Sequence, residues 1–412
     1  MTGLRTFDIL DPAFKADPYS RYARLRDDEP AARVVLPDGR EAWLLTRYAD
    51  VSAVLMDRDR FSTRSFLGQI DEGPALPPHV RGVYMLFNEI MLGKDPPEHT
   101  RLRKLVQKAF TARLVEGLRP NVQRLADRLL DAVEERAAAT GERTMDVIAD
   151  FAFPIPVTII MDLLGVPEER RADIRRWSTA LAAFDGSLEL AERIAPEVDM
   201  FIDYLRELTA RKRRDPADDL ISALVHVEED GDRLSEDDLL AMVYVLIFAG
   251  HETTLHLIGN GTLALLTHPG QPDLLRRDPG LLRGAVEELL RFDPSVEVPR
   301  ARVALADVEL AGVTIRRGDV VLVSIASANR DPRAIPGGDT LDVTRAGTHH
   351  LTFGKGIHVC VGAPLARVEG QVAFATLLRR MPALALAVDP AELTYRPGGI
   401  FLRGLSALPV TF

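Results

Sequence analysis

The chain has 412 residues, 46% of them hydrophobic, with 51 Lys plus Arg against 61 Asp plus Glu for a formal net charge of -10. That supplies a large core and argues against nonspecific nucleic-acid binding. A single cysteine excludes an intrachain disulfide and a Cys-rich zinc or iron–sulfur site. The N-terminal MTGLRTFDILDPAF lacks the basic segment and apolar run of a signal peptide, and no stretch is apolar for the roughly 20 residues of a membrane span, so a cytoplasmic protein is expected.

Residues 16–29 read as a short helix behind Pro18. Residues 32–36 and 42–46 are apolar on either side of Pro37-Asp38-Gly39, which predicts a hairpin. Asp50 is placed to start a helix, and residues 64–80, rich in Gly and Pro, read as a long loop. DPPEHTRLRKLVQKAF, residues 95–110, predicts a helix on which His99 and Arg103 share a face. Such a pair can clamp an anion, although a solvated basic face accounts for the segment equally well. Residues 115–139 and 144–166 carry helical periodicity, interrupted near Pro154 and Pro156. Residues 168–179 and 191–211 predict two more helices. The basic run Arg211 to Arg214, bounded by Asp215, Asp218 and Asp219, reads as a solvated surface turn. Residues 218–227 continue as helix.

Ser235, with Asp238 three residues on, resembles a capping box. The helix it opens runs to about Leu266, or about 45 Å if continuous. It is apolar nearly all round, which places it in the middle of a large domain. Ala249 and Gly250 remove bulk and would let a flat partner lie close. Glu252, Thr253 and Thr254 follow. Thr253 can bond back to a carbonyl one turn earlier, and a bent turn with a hydroxyl and a carboxylate suits proton delivery. A satisfied core threonine beside a paired glutamate fits these residues as well. His251 and His256, five apart, diverge by about 140 degrees on a helix, which excludes a shared metal.

Residues 279–291 predict a helix stopped before Pro294, with Glu288 and Arg291 spaced to pair. Such a pair is worth little on a surface; buried, its arginine offers a rigid fork to neighbouring backbone. From Arg300 the period changes to short β-favouring runs between Gly-containing turns, and Arg302 is placed to meet an anion. Residues 394–411 read as short strands around Pro397-Gly398-Gly399. No internal repeat is present. The outline is one domain over 1–412, mainly α, with a β-rich portion at about 30–48, 300–327 and 390–412.

The lone cysteine lies in HLTFGKGIHVCVGAPLARVEGQV, residues 350–372. A lone cysteine is most often buried and inert. Here Gly354, Gly356 and Gly362 shape a loop just before a helix-like run behind Pro364. Free backbone N–H groups and a positive helix end would stabilise a thiolate, which leaves an axial metal or haem ligand and a nucleophile both open.

Three segments, F-G-K-G-I-H-V-C-V-G at 353–362, A-G-H-E-T-T at 249–254 and E-E-L-L-R at 287–291, resemble the bacterial cytochrome P450 family. H-T-R-L-R at 99–103 and Arg302-Val303-Ala304 add to the match, which covers nearly the whole chain. The resemblance implies the cytochrome P450 fold, with the long central helix over a haem b. It makes Cys360 the thiolate ligand of the iron, with Phe353 and Gly354 in the ligand loop. His99, Arg103, Arg302 and His358 would hold the haem propionates, and Ala249 and Gly250 would face the distal side. Glu252 and Thr253 resemble the acid–alcohol pair that routes protons toward dioxygen, while Glu288 and Arg291 look structural. The implied reaction is monooxygenation, chiefly C–H hydroxylation, of the kind found in secondary metabolism. Electrons from NAD(P)H would arrive through a ferredoxin and a ferredoxin reductase, docking near Lys104, Lys108 and Lys355. A monomer is expected. Phe66, Ile70, Leu86, Phe87, Phe184, Val245, Phe248 and Phe401 are the apolar candidates for a pocket that takes a terpenoid, steroid, fatty acid or macrolide-like guest. A peroxide-driven peroxygenase would share the ligand, but family peroxygenases usually lack the Glu–Thr pair. A Cys hydrolase would need an orienter for His358, and none is evident. A haem gas sensor leaves the distal pair unexplained.

Overall fold

The computed structural model describes residues 11–36, 39–64, 77–182, 184, 187–228, 231–347, 349–396 and 401–412. At its centre runs the 32-residue helix Glu236–Thr267. Its start is the capping box expected from Ser235: Asp238 N–H donates to Ser235 Oγ at 3.1 Å, and Ser235 N–H donates to Asp238 Oδ2 at 3.2 Å. Helices Pro154–Leu163, Leu188–Arg214, Leu282–Phe292 and Ala363–Arg380 pack around it. Contrary to the expectation that no stretch is apolar over the length of a membrane span, this helix, alone among the described residues, is apolar and long enough to cross one, and 67% of that apolar window is buried inside the protein.

A five-stranded sheet stands beside the helices. Its strands are β1 (Ala31–Val35), β2 (Glu41–Leu45), β3 (Phe61–Ser62), β4 (Arg302–Ala304) and β5 (Val320–Val323), in the order β1-β2-β5-β4-β3. The hairpin pairs Ala32 with Leu44, and β2 then lies parallel to β5 with Ala42 opposite Val320. Trp43, Leu45, Val321 and Val323 pack on one face of the sheet; Ala42, Leu44, Val320 and Leu322 pack on the other, with Phe14 and Tyr22. Both faces are covered, which is why β5 is apolar at every position.

Two readings of the sequence need correction. Residues 144–146 form a strand rather than helix, because Met145 pairs with Val410 near the C-terminus. Pro154 and Pro156 do mark the expected interruption: the π-helical stretch Ile148–Ala152 ends just before them and helix Pro154–Leu163 opens on Pro154, where a missing N–H costs nothing. Arg211 to Arg214 are the last turn of Leu188–Arg214, complementing its dipole, and Lys212 is buried against Asp219 instead of solvated.

Candidate active site

The site is built on the loop before helix Ala363–Arg380. Cys360 N–H donates to the Phe353 carbonyl at 2.9 Å and Gly354 N–H to the Leu351 carbonyl at 2.7 Å, which folds residues 351–360 back on themselves. Gly356 has φ 76° and lies so close to helix Tyr48–Met56 that a Cβ there would fall 2.7 Å from the Leu55 carbonyl oxygen. Cys360 is exposed, but to a cavity that it lines; protein surrounds it on its other sides. Burial pushes the thiol pKa up, while N–H groups of Gly362 and Ala363 and the guanidiniums of Arg103 and Arg367 act in favour of the thiolate.

The same cavity is lined by His99, Arg103, Arg300, Arg302, Phe353, Gly354 and His358. His99 is buried with neither ring nitrogen hydrogen-bonded, and its ring meets that of His358 edge-on at 4.3 Å. Burial and the nearby Arg302 push His358 down to about 3, so this imidazole is neutral. Burial pushes Arg300 and Arg302 each down to about 10, with Asp95 opposing. Arg103 donates to the Val359 carbonyl at 2.5 Å, so one arm of it steadies the Cys360 loop itself. Arg300 was not singled out from the sequence. The signal was available in Pro299-Arg300-Ala301-Arg302, where alternate residues of an extended segment share a face. Buried cations beside an imidazole with no partner are costly unless something anionic meets them. These donors, together with a thiol placed to ligate, fit a flat group carrying two carboxylates, which is the shape and charge of haem b.

The central helix supplies another wall. Thr253 Oγ1 donates to the Ala249 carbonyl at 2.8 Å, the back-bond expected from its sequence, and both residues line the cavity. Ser295, also on the wall, donates its hydroxyl to the Thr253 carbonyl at 2.6 Å. This residue too was not anticipated, since it lies in a different element. Gly250 lines the cavity, but its missing side chain also serves another contact: a Cβ would fall 3.0 Å from Ile160 Cγ1 of helix Pro154–Leu163. Glu252 is buried and outside the cavity lining. Arg396 reaches it at 2.9 Å, His251 at 3.5 Å and His256 at 3.6 Å. Burial pushes this carboxyl up, but His251, Arg396 and His256 outweigh it and bring it down to about 2. Both histidines therefore serve Glu252 from its two sides.

Of the apolar candidates, Val245 and Phe401 line the cavity. Three are off its wall because other side chains claim them. Leu86 is fully buried in the core, Phe184 packs edge-on against Tyr84 at 5.4 Å, and Phe248 stacks on Tyr244 at 5.9 Å. Phe66, Ile70 and the Phe87 side chain lie outside the described residues. Met91, Leu92, Met242 and Leu246 complete much of the apolar lining. Glu288 and Arg291 are wholly buried and joined by two bonds of 2.7 Å. Arg291 extends to the carbonyls of Asn329 at 2.8 Å and Gly338 at 2.6 Å, and Arg345 joins Glu288 at 3.2 Å.

The profile of the family described as Cytochrome P450 matches residues 188–385. Cytochrome P450 107B1 of Saccharopolyspora erythraea is 45% identical over 98% of this chain and 97% of its own length. Vitamin D(3) 25-hydroxylase of Pseudonocardia autotrophica is 44% identical, covering 100% of this chain and 97% of that protein. The solved structure of the bacillaene polyketide synthase cytochrome P450 PksS of Bacillus subtilis superposes with a TM-score of 0.89 at 40% identity, over 98% of this chain and 99% of that one. End-to-end similarity of sequence and fold, on a scaffold that presents Cys360 to a cation-lined cavity, shows that the chain belongs to the cytochrome P450 family of dioxygen-dependent haem-thiolate monooxygenases.

Proposed function

We propose that this enzyme hydroxylates a lipophilic small molecule bound against Val245, Phe401 and Thr253, with electrons from NAD(P)H passed through a ferredoxin and a separate reductase. The observation that carries the reading is the Cys360 thiol, met by two backbone N–H groups, on the wall of a mostly apolar cavity that Thr253 also lines. By their names one relative is a vitamin D(3) 25-hydroxylase and another is the cytochrome P450 of a bacillaene polyketide synthase, which supports an apolar guest.

Haem b, when bound, supplies the oxidant, taking two electrons and two protons to split dioxygen and leave one oxygen atom for the substrate. Cys360 would ligate it. His99, Arg103, Arg302 and His358 would receive its propionates, and Arg300 extends that set. The N–H groups of Gly362 and Ala363 moderate the charge on sulfur. Thr253 holds a hydroxyl at the cavity wall, oriented by its bond to Ala249 and steadied by Ser295. Glu252 is the adjacent carboxylate through which protons would arrive. The apolar lining excludes bulk water from the reacting carbon. Lys104 is exposed on helix Glu98–Ala109 and is available to an acidic redox protein, whereas Lys108 donates to the Glu228 carbonyl at 2.7 Å and Lys355 to Ser52 at 2.8 Å.

The dithionite-reduced protein under carbon monoxide tests the cofactor. A thiolate-haem band is expected; a colourless preparation or an imidazole-type spectrum overturns the reading. Difference spectra across a lipophilic library, followed by turnover with NADPH and surrogate redox proteins, test the substrate class.

A further inference from the structure

Behind the cavity wall lies a buried polar cluster that the chemistry above leaves unused. Lys15 lies in helix Pro12–Ala16, and Tyr19 and Tyr22 lie in helix Pro18–Asp28. They meet Asp293 and Glu297, which follow helix Leu282–Phe292. Glu297 is 1% exposed, and both of its oxygens are met from the N-terminal helices: Lys15 Nζ donates to Oε2 at 2.7 Å and the Tyr22 hydroxyl to Oε1 at 2.7 Å. Asp293 accepts from the Tyr19 hydroxyl at 2.5 Å and from Arg403 Nε at 3.1 Å, and Arg403 Nη1 donates to the Lys15 carbonyl at 2.5 Å. Carboxylates this deep need such donors.

The same residues hold the wall by their main chain. Glu297 N–H donates to the Phe401 carbonyl at 2.9 Å, and the Glu297 carbonyl accepts from Ile325 N–H at 2.9 Å. Arg403 N–H donates to the Ser295 carbonyl at 2.9 Å, and Val296 pairs with Leu402. Ser295, Val296, Ile325 and Phe401 all line the cavity. The stretch around Glu297 therefore has two sides. Val296, Pro299 and Arg300 line the cavity, whereas Val298 and Ala301 pack with Phe14 and Tyr22 in one apolar cluster. Glu297 joins the two: its side chain is held by the N-terminal helices and its backbone holds the wall at Ile325 and Phe401.

We propose that Lys15 and Tyr22 are positioning residues that set the placement of the cavity wall around Val296 and Phe401 through Glu297, and so govern which apolar guests fit and how they lie against Thr253. The inference rests on the reading of this cavity as a haem and substrate chamber. Apolar packing is non-directional, so Phe14 and Val298 would hold the two segments together over a range of offsets. Two hydrogen bonds to one carboxylate fix the offset, because their strength falls steeply with distance and angle. A small offset matters at an apolar wall, where close packing leaves shape as the main selector of the guest.

The test uses holoenzyme of Lys15→Met, Lys15→Arg and Tyr22→Phe, with two nitrogen ligands of haem iron read by difference spectra. Imidazole is small and meets little of the wall; 4-phenylimidazole must lay its second ring against it. The ratio of their dissociation constants reads the wall and cancels the haem content. In Lys15→Met the ratio should change by about threefold or more and in Tyr22→Phe by about twofold, while Lys15→Arg, which keeps a cation for Glu297, should return it toward the wild-type value. Lys212→Met is the control for lost stability. It breaks the buried pair with Asp219, whose two residues lie off the cavity wall, so it should melt lower yet leave the ratio unchanged. If Lys15→Met loses haem, Tyr22→Phe decides alone, since it removes one hydroxyl and keeps the packed ring. An unchanged ratio in the haem-bearing variants overturns the proposal. An equal change in Lys212→Met overturns it too, since the effect would then be one of stability. A wild-type protein that gives no imidazole spectrum would sink the haem reading and this inference with it, whereas a normal imidazole spectrum with a flat ratio sinks the positioning role alone.

Discussion

Glu369 lies in helix Ala363–Arg380, nine residues beyond Cys360, fully buried with neither carboxyl oxygen hydrogen-bonded. Burial pushes its carboxyl up to about 8, opposed by Thr254. Its folded pKa is thus raised above the ordinary 4.5, so between those values the folded protein holds a proton that the unfolded chain has lost. Stability should be highest below the lower value and fall by about 1.4 kcal/mol per pH unit through the window from this group alone. Melting temperatures across pH 5 to 8 should show that slope in the wild type and a flatter line in Glu369→Gln; equal slopes would contradict a buried neutral acid. Thr253→Ala should keep the thiolate-haem spectrum yet release more hydrogen peroxide per NADPH consumed, and unchanged coupling would remove Thr253 from the proton path. Cys360 and Thr253 were legible because their signals are local: a glycine loop before a helix, and a hydroxyl four residues from the carbonyl it bonds. Arg396, Ser295 and Glu369 were not. Each owes its setting to residues far away in the chain, and nothing in their neighbouring sequence marks them.

At the scale of elements the same division holds. The capping box, the hairpin of β1 and β2 and the helix His99 shares with Arg103 all rest on contacts within a few residues, and the chain displays them openly. Strand Thr144–Asp146 was misread as helix because its partner, Pro409–Thr411, is at the other end of the molecule. Leu86, Phe184 and Phe248 were misassigned to the cavity for a related reason: composition marks a side chain as apolar but not which neighbour takes it. The Cys360 loop gives a sharper case. Gly356 combines a left-handed φ of 76° with the 2.7 Å approach to the Leu55 carbonyl. Gly356→Ala should therefore lower the melting temperature and weaken haem retention, both by the strain of φ and by pushing the loop off helix Tyr48–Met56. Retention of haem during gel filtration reads the second effect apart from global unfolding.

Across the whole molecule, Glu288 and Arg291 join three stretches of chain that share no local structure. Arg291 spends its fork on Glu288 and on the carbonyls of Asn329, Gly338 and, at 3.1 Å, Thr340. Lysine has the charge but not the planar set of donors, so Arg291→Lys should leave buried carbonyls unmet and cost about 3–5 kcal/mol, the scale for breaking a buried pair. Urea unfolding of that variant would measure it, and a loss under about 1 kcal/mol would show the fork to be dispensable.

The parallel pairing of β2 with β5 sets Ala42 beside Val320, so the edge of the first hairpin waits for a partner made late in synthesis. During translation the stretch Ala42 to Leu45, apolar throughout, emerges from the ribosome with its hydrogen-bonding edge uncovered. It stays so until most of the helical part has been made. The price of this order of assembly falls on the nascent chain: it must keep an adhesive edge solvated, or shielded by chaperones, for most of its synthesis. Chains halted before Val320 should be aggregation-prone and readily cleaved near β2, while chains released after Val323 should be protected there.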